Sequence, residues 1–136
     1  MKGLVAEMHQ VSKQATEAGA EDLSAIGTAL SVGIAAVEEA TAYILNTFGQ
    51  NPRAVAAGSV PYLMLLGTVC GGWQMARAAL VAQKKLAAAN ADESFYQAKI
   101  ATARFYADHL LPRSASYRHE ILNGAASTLR LDEGQF

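Results

Sequence analysis

The sequence predicts an all-α fold, an up-and-down four-helix bundle whose third and fourth helices are kinked. Three observations lead there. Alanine, the best helix former, fills 28 of the 136 positions, and there are only three prolines. Apolar residues recur at steps of three and four over long stretches, the period of a helix face. From Ala54 to Ala76 no residue is charged, and apolar side chains run all round the helical circumference. That is the pattern of a helix surrounded by others. Short turns between long helices favour antiparallel neighbours. By length the chain is a single helical domain, 1–136, large enough to bury a core.

Helix one is predicted over 2–18, with Leu4, Met8 and Val11 on one side and Gly19 as its stop. Helix two runs from about Asp22 to Phe48, with Asp22 or Ser24 as cap. Its stripe is Leu23, Ile26, Leu30, Ile34, Val37, Thr41, Ile44 and Phe48, and Gly49 closes it. Asn51-Pro52 opens helix three, where a first-turn proline does no harm. Pro61 should kink or divide that helix between Gly58 and Pro61. Beyond it Tyr62, Leu66, Val69, Trp73, Ala76 and Leu80 make one seam, which Leu63, Cys70 and Val81 extend.

Gly67, Gly71 and Gly72 each cost roughly 1 kcal/mol inside a helix relative to Ala. The expected compensation is a neighbouring backbone lying close to Gly67 and Gly71. Asn90-Ala91-Asp92 reads as a turn, with Asp92 or Ser94 capping helix four. That helix carries Tyr96, Ile100, Ala103, Ala107, Leu110 and Leu111, kinks at Pro112, and continues through Tyr117 and Ile121 to Asn123-Gly124. The tail adds one helical turn before Phe136.

Counting along reversing helices at about 1.5 Å per residue sets residues level with one another. Trp73 then falls beside a partly buried His109, and Arg77 level with Arg104 and the Asp22 end of helix two. Glu38 and Glu39 fall level with Met64, Arg118 and His119.

Several chemistries are disfavoured. Lys and Arg are scattered and the net charge is −1, so no basic stripe for nucleic acid exists. The uncharged run is long enough to span a bilayer, but Gly58, Pro61, Gly67, Gly71, Gly72 and Gln74 dilute it and its ends lack a basic flank. With no signal-peptide pattern and the single Cys70, a cytoplasmic domain in a reducing compartment is the expectation. Glu38-Glu39 diverge by about 100° on a helix, and no Glu-x-x-His motif accompanies them, so a metal centre is rejected. One of the pair is expected to meet Arg118. Arg104 and Asp108, four apart, suit a surface pair. His9, His109 and His119 have no nucleophile and acid arranged around them. Gly71-Gly72 interrupts a helix, where a phosphate loop would join a strand to one.

The chain does resemble one family. Tyr62-Leu63-Met64-Leu65-Leu66-Gly67, Gly71-Gly72-Trp73 with Ala76-Arg77, Phe95-Tyr96 with Ala98-Lys99, the run from Ala101 to Ala107, His109-Leu110-Leu111-Pro112, and Leu131 to Phe136 carry the likeness. Together they are similar to the extra C-terminal helical domain of large bacterial acyl-CoA dehydrogenases, a group that includes those acting on 3-methylthiopropanoyl-CoA and similar short thioesters. The likeness is dense over 57–136 and vague over the first fifty residues.

The resemblance implies an FAD-dependent oxidoreductase of fatty acid metabolism, in which a glutamate removes the α-proton while flavin takes the β-hydride. It places both functions in domains preceding this one. The family's flavin-contacting Gln-Gly-Gly motif is absent, since Gln74 follows Gly71-Gly72. No catalytic, cofactor-binding or metal-binding residue is therefore assigned, and the chain alone is expected to be inactive. Its implied partners are the flavin-binding domains and a second copy. It is expected to be a fragment or a stand-alone product. The expected docking face is helix one, or the side of helix four bearing Phe95, Thr102 and Phe105. Two other readings stand beside this: an independent homodimeric interaction protein, and an acyl-ligand carrier with its pocket at Gly67, Gly71 and the kinks.

Overall fold

The structure, a computed structural model, describes residues 2–88 and 92–135. Asn90 and Ala91 of the expected turn, and Phe136, lie outside the described residues. All regular elements among the described residues are helical. They are α1 (Lys2–Thr16), α2 (Glu21–Thr47), α3 (Pro52–Ala57), α4 (Ser59–Leu86), α5 (Glu93–His109), α6 (Arg113–Asn123) and α7 (Ala125–Thr128), followed by a 3-10 turn at Glu133–Gln135.

The helix boundaries follow local chemistry. Gly19, at φ +77°, takes the left-handed conformation that follows α1. The Asn51 side chain accepts from the Ala54 N–H ahead of a first-turn proline, and Asp92 accepts from the Phe95 N–H. Helix two departs from expectation at its start. Ala20 occupies the cap position without a side-chain bond, because Asp22 lies within the first turn. The third predicted helix is divided at Gly58 into α3 and α4, with Pro61 in the first turn of α4. The fourth is divided between His109 and Arg113, ahead of and at Pro112.

The α2–α4 pair is central: both helices pack on α1, α5 and α6 as well as on each other. Leu23, Ile26, Leu30, Ile34 and Val37 of α2 are buried against Leu65, Val69, Ala76 and Ala79 of α4, with Met8, Ile100, Leu111 and Ile121 closing the core. Phe48, expected at the end of the α2 stripe, is exposed and lies one residue past the end of the helix. The α4 seam is displaced by about one residue from the prediction and centres on Leu65, Val69, Gly72, Ala76 and Ala79. Leu63 and Val81 consequently face outward.

The uncharged run from Ala54 to Ala76, disfavoured as a membrane span, lies in α3 and the first part of α4, and much of α4 is packed on other helices. Among the described helices α2 is long and apolar enough to cross a membrane, and half of its most apolar window is buried within the fold.

At the α1–α2 crossing the backbones approach closely. A Cβ placed on Gly27 meets the Ser12 carbonyl oxygen and the Thr16 backbone nitrogen, each at 2.6 Å. Buried Ser12 donates from Oγ to the Gly27 carbonyl at 2.8 Å, which fixes the register of the pair. Sequence reasoning missed this contact. Its available signal was Ser12 and Thr16 one turn apart on one helix, facing a mid-helix glycine on the next.

Candidate assembly surface

Some of the residues that carry the family likeness, Gly71, Gly72, Tyr106 and Leu111, fit α4 to α5 and to the segment that follows it. A Cβ on Gly71 falls 2.3 Å from the Tyr106 hydroxyl, and one on Gly72 falls 2.6 Å from a Leu111 methyl. Tyr106 therefore lies over a bare turn of helix and donates to the Thr68 carbonyl at 3.0 Å. Burial is the main reason that its phenol titrates above the ordinary tyrosine range; the nearby Cys70 adds to the shift and Arg113 opposes it. The close approach expected at Gly71 is real, but a side chain makes it. Gly67 receives no such neighbour: nothing lies within 4 Å of its Cβ position. Because Tyr106 and Leu111 occupy the space beside Gly71 and Gly72, this glycine pair does not fit a flavin or nucleotide phosphate.

The charged residues form cross-braces. Arg118 donates from Nε and Nη2 to both oxygens of Glu39, the second bond at 2.8 Å, in the pairing expected from level counting. Arg104 bridges Asp108 at 2.9–3.0 Å and Asp22 at 3.0 Å, tying α5 to the start of α2. Glu38 meets His9 of α1 at 3.2 Å, a pairing that sequence reasoning missed. His109 is exposed and lies against Phe105, with ring centroids 4.4 Å apart, rather than partly buried beside Trp73. Seating Tyr106 on Gly71 explains this, because antiparallel counting then carries His109 more than a turn past Trp73. Trp73 instead has the Arg77 guanidinium 5.2 Å from its ring centroid. Among the described residues no three His, Cys, Asp or Glu side chains are grouped to hold a metal ion.

One of these braces predicts a pH dependence. Hydrogen bonding from Arg118 holds the Glu39 carboxyl below its usual range; desolvation opposes this, and the arginine charge adds to it. The fold thus favours the carboxylate. Its stabilisation is complete above the unfolded-state carboxyl pKa and disappears as pH falls through the lowered folded-state value. Thermal unfolding of wild type and Glu39→Gln should differ slightly at neutral pH, with wild type higher, and converge in acid.

The outward surface is unusually apolar. α4 was expected to be enclosed all round, yet Val60, Leu63, Met64 and Val81 are 48–69 % exposed. With Gly67, Gln74 and Ala78 they lie within an arc of about 100° on α4. On the adjoining helix Phe95 and Phe105 are 52 % and 59 % exposed, in line with exposed Thr102. The side bearing these three residues is therefore open, as a docking face requires. A groove of about 400 Å³ runs between the two helices, lined by Gln74, Ala78 and Val81 on one wall and Phe95 and Lys99 on the other. A second groove, of about 510 Å³, lies between α1 and α2 beside Val5, His9, Thr41 and Leu45.

Residues 4–132 match the family described as acetyl-CoA dehydrogenase C-terminal like, so the match includes the first fifty residues, where the likeness had been vague. A 3-methylmercaptopropionyl-CoA dehydrogenase of Ruegeria pomeroyi is 36 % identical over 124 residues, covering 91 % of this chain and 21 % of that protein. A broad-specificity linear acyl-CoA dehydrogenase of Mycobacterium tuberculosis is 42 % identical over 84 residues, covering 60 % of this chain and 14 % of that protein. The chain thus spans about a fifth or less of the length of these relatives.

Proposed function

Because this chain belongs to the acetyl-CoA dehydrogenase C-terminal-like family, we propose that it is the non-catalytic helical part of an FAD-dependent acyl-CoA dehydrogenase. Its role is to brace the flavin-binding domains and to contribute to subunit assembly. In this reading its long helices form an up-and-down four-helix bundle that works in the cytoplasm, in fatty acid metabolism, as a homodimer. FAD and the acyl-CoA are held by the flavin-binding domains, and this chain supplies no catalytic residue.

The observation that carries the reading is the use made of Gly71 and Gly72. The residues that would invite a phosphate reading are filled by Tyr106 and Leu111, so they serve helix packing. The α5 edge bearing Phe95 and Phe105 is the face assigned to the flavin-binding domains, since large exposed apolar side chains in line mark a surface that another protein surface covers. A pocket at Gly67 and Gly71 has no support: the first lies open on the surface and the second is filled. The test is exchange of residues 4–132 into the Ruegeria pomeroyi dehydrogenase in place of its matching segment, with flavin content and turnover as readouts. A hybrid that binds flavin and turns over supports the assignment; one that binds flavin without turning over opposes it.

A further inference from the structure

We propose that the outward face of α4 is a self-complementary interface, on which α4 of a second copy docks antiparallel. The proposal names a partner for the assembly role above, but it stands on the geometry of α4 alone.

The first observation is chemical. A helix that is apolar all round is ordinarily enclosed, and this chain encloses only part of α4. Val60, Leu63, Gly67, Gln74, Ala78 and Val81 face outward without a charge among them. They extend over about 32 Å of helix.

The second observation concerns Gly67. Away from the helix ends, Gly27, Gly33, Gly71 and Gly72 each have a neighbour occupying the space a side chain would need. Gly67 has none, although it carries the same propensity penalty. Its bare backbone lies in the middle of the uncharged face, where only a partner from outside the chain could use it.

The third observation selects the occupant. Along the central row Val60, Leu63, Gly67, Gln74, Ala78 and Val81, with exposed Met64 at its margin, the spacings are 3, 4, 7, 4 and 3 residues and read the same in both directions. A two-fold axis between Cys70 and Gly71 therefore brings Val60 onto the partner's Val81, Leu63 onto the partner's Ala78, and Gly67 onto the partner's Gln74. Each larger group meets an equal or smaller one, as an isologous contact requires. On α4 the nearest cation, Arg77, falls level with the partner's Met64, while Lys99 of α5 borders the face beside Ala78 and Val81.

Surface area is consistent with such a contact. A folded monomer of 14.3 kDa exposes about 6,800 Å² by the usual scaling. This chain exposes 8378 Å². The surplus is about twice the roughly 800 Å² that one partner gives to an ordinary interface. That leaves room for both a second copy and the flavin-binding domains.

Sedimentation equilibrium of the 136-residue chain over a wide range of concentration tests the pairing. A reversible dimer is expected, and Leu63→Glu or Ala78→Glu alone should weaken it at least about tenfold, which is roughly 1.4 kcal/mol. Both positions are exposed, so circular dichroism and the unfolding midpoint of the monomer should stay unchanged. The double variant Leu63→Glu with Ala78→Lys sets opposite charges face to face in this register alone, and should recover much of the lost association. A chain that stays monomeric, a dimer indifferent to the single changes, or the absence of rescue would each overturn the pairing. A 1:1 complex with flavin-binding domains through the same face would also overturn it. None of these outcomes touches the segment-exchange test, so the two proposals fail separately.

Discussion

Replacing Leu65 by Ala is expected to lower the unfolding free energy by about 3 kcal/mol, within the 2–5 kcal/mol seen for fully buried leucines. Leu65 is 0 % exposed and opens the buried seam of α4, which packs with α2 and on α1, α5 and α6. Truncation removes apolar transfer energy and also leaves a cavity that a close-packed helical core cannot fully close. Leu63→Ala, two residues away, is the matched control. Leu63 is 69 % exposed, so at concentrations where the chain is monomeric its loss should change stability by less than about 0.5 kcal/mol. Urea unfolding checks both. The midpoint should fall for Leu65→Ala with the slope unchanged, and stay put for Leu63→Ala. Equal effects would mean that the seam is misplaced.

Gly27→Ala is expected to cost about 2 kcal/mol and to loosen α1 specifically. In a helix interior this change normally stabilises by roughly 1 kcal/mol. Here the new methyl lands 2.6 Å from the Ser12 carbonyl oxygen and from the Thr16 nitrogen. Both are backbone atoms, so no rotamer change relieves the contact, and α1 must move away. That movement stretches the buried bond from Ser12 Oγ to the Gly27 carbonyl. Overpacking of this kind typically costs 1–3 kcal/mol. Hydrogen exchange should report the loss locally, with faster exchange in α1 than in α5. Uniform stabilisation would show that the α1–α2 crossing is looser than described.

These two residues also show what could be read in advance. The apolar period located the core side of α2 correctly from Leu23 to Val37, because a regular helix repeats its face faithfully. In α4 apolar residues lie on every side, so periodicity could not decide between Leu65 and Leu66 as the buried row. Packing against α2 and α5 decided it. Level counting found Arg118 with Glu39 and Arg104 with Asp22, since long side chains tolerate an error of half a turn. It failed for His109, where the Tyr106–Gly71 contact sets the register and no propensity encodes it. The glycines were recognised as meaningful, yet their partners were tertiary: backbone at Gly27, side chains at Gly71 and Gly72, and none within the chain at Gly67. The exposed side of α5 bearing Phe95 and Phe105 was legible. The outward face of α4 was hidden by the very uniformity that suggested enclosure.

In the proposed reading this chain packs and assembles while the flavin-binding domains carry the chemistry. The most direct measurement is turnover per bound flavin in a Ruegeria pomeroyi dehydrogenase whose matching segment is replaced by residues 4–132 of this chain. The account predicts a folded, flavin-loaded hybrid that oxidises 3-methylmercaptopropionyl-CoA within about tenfold of the parent, a difference of roughly 1.4 kcal/mol in the barrier. A hybrid that retains its flavin but loses about a hundredfold or more, the size of effect of removing a general acid or base, would contradict it.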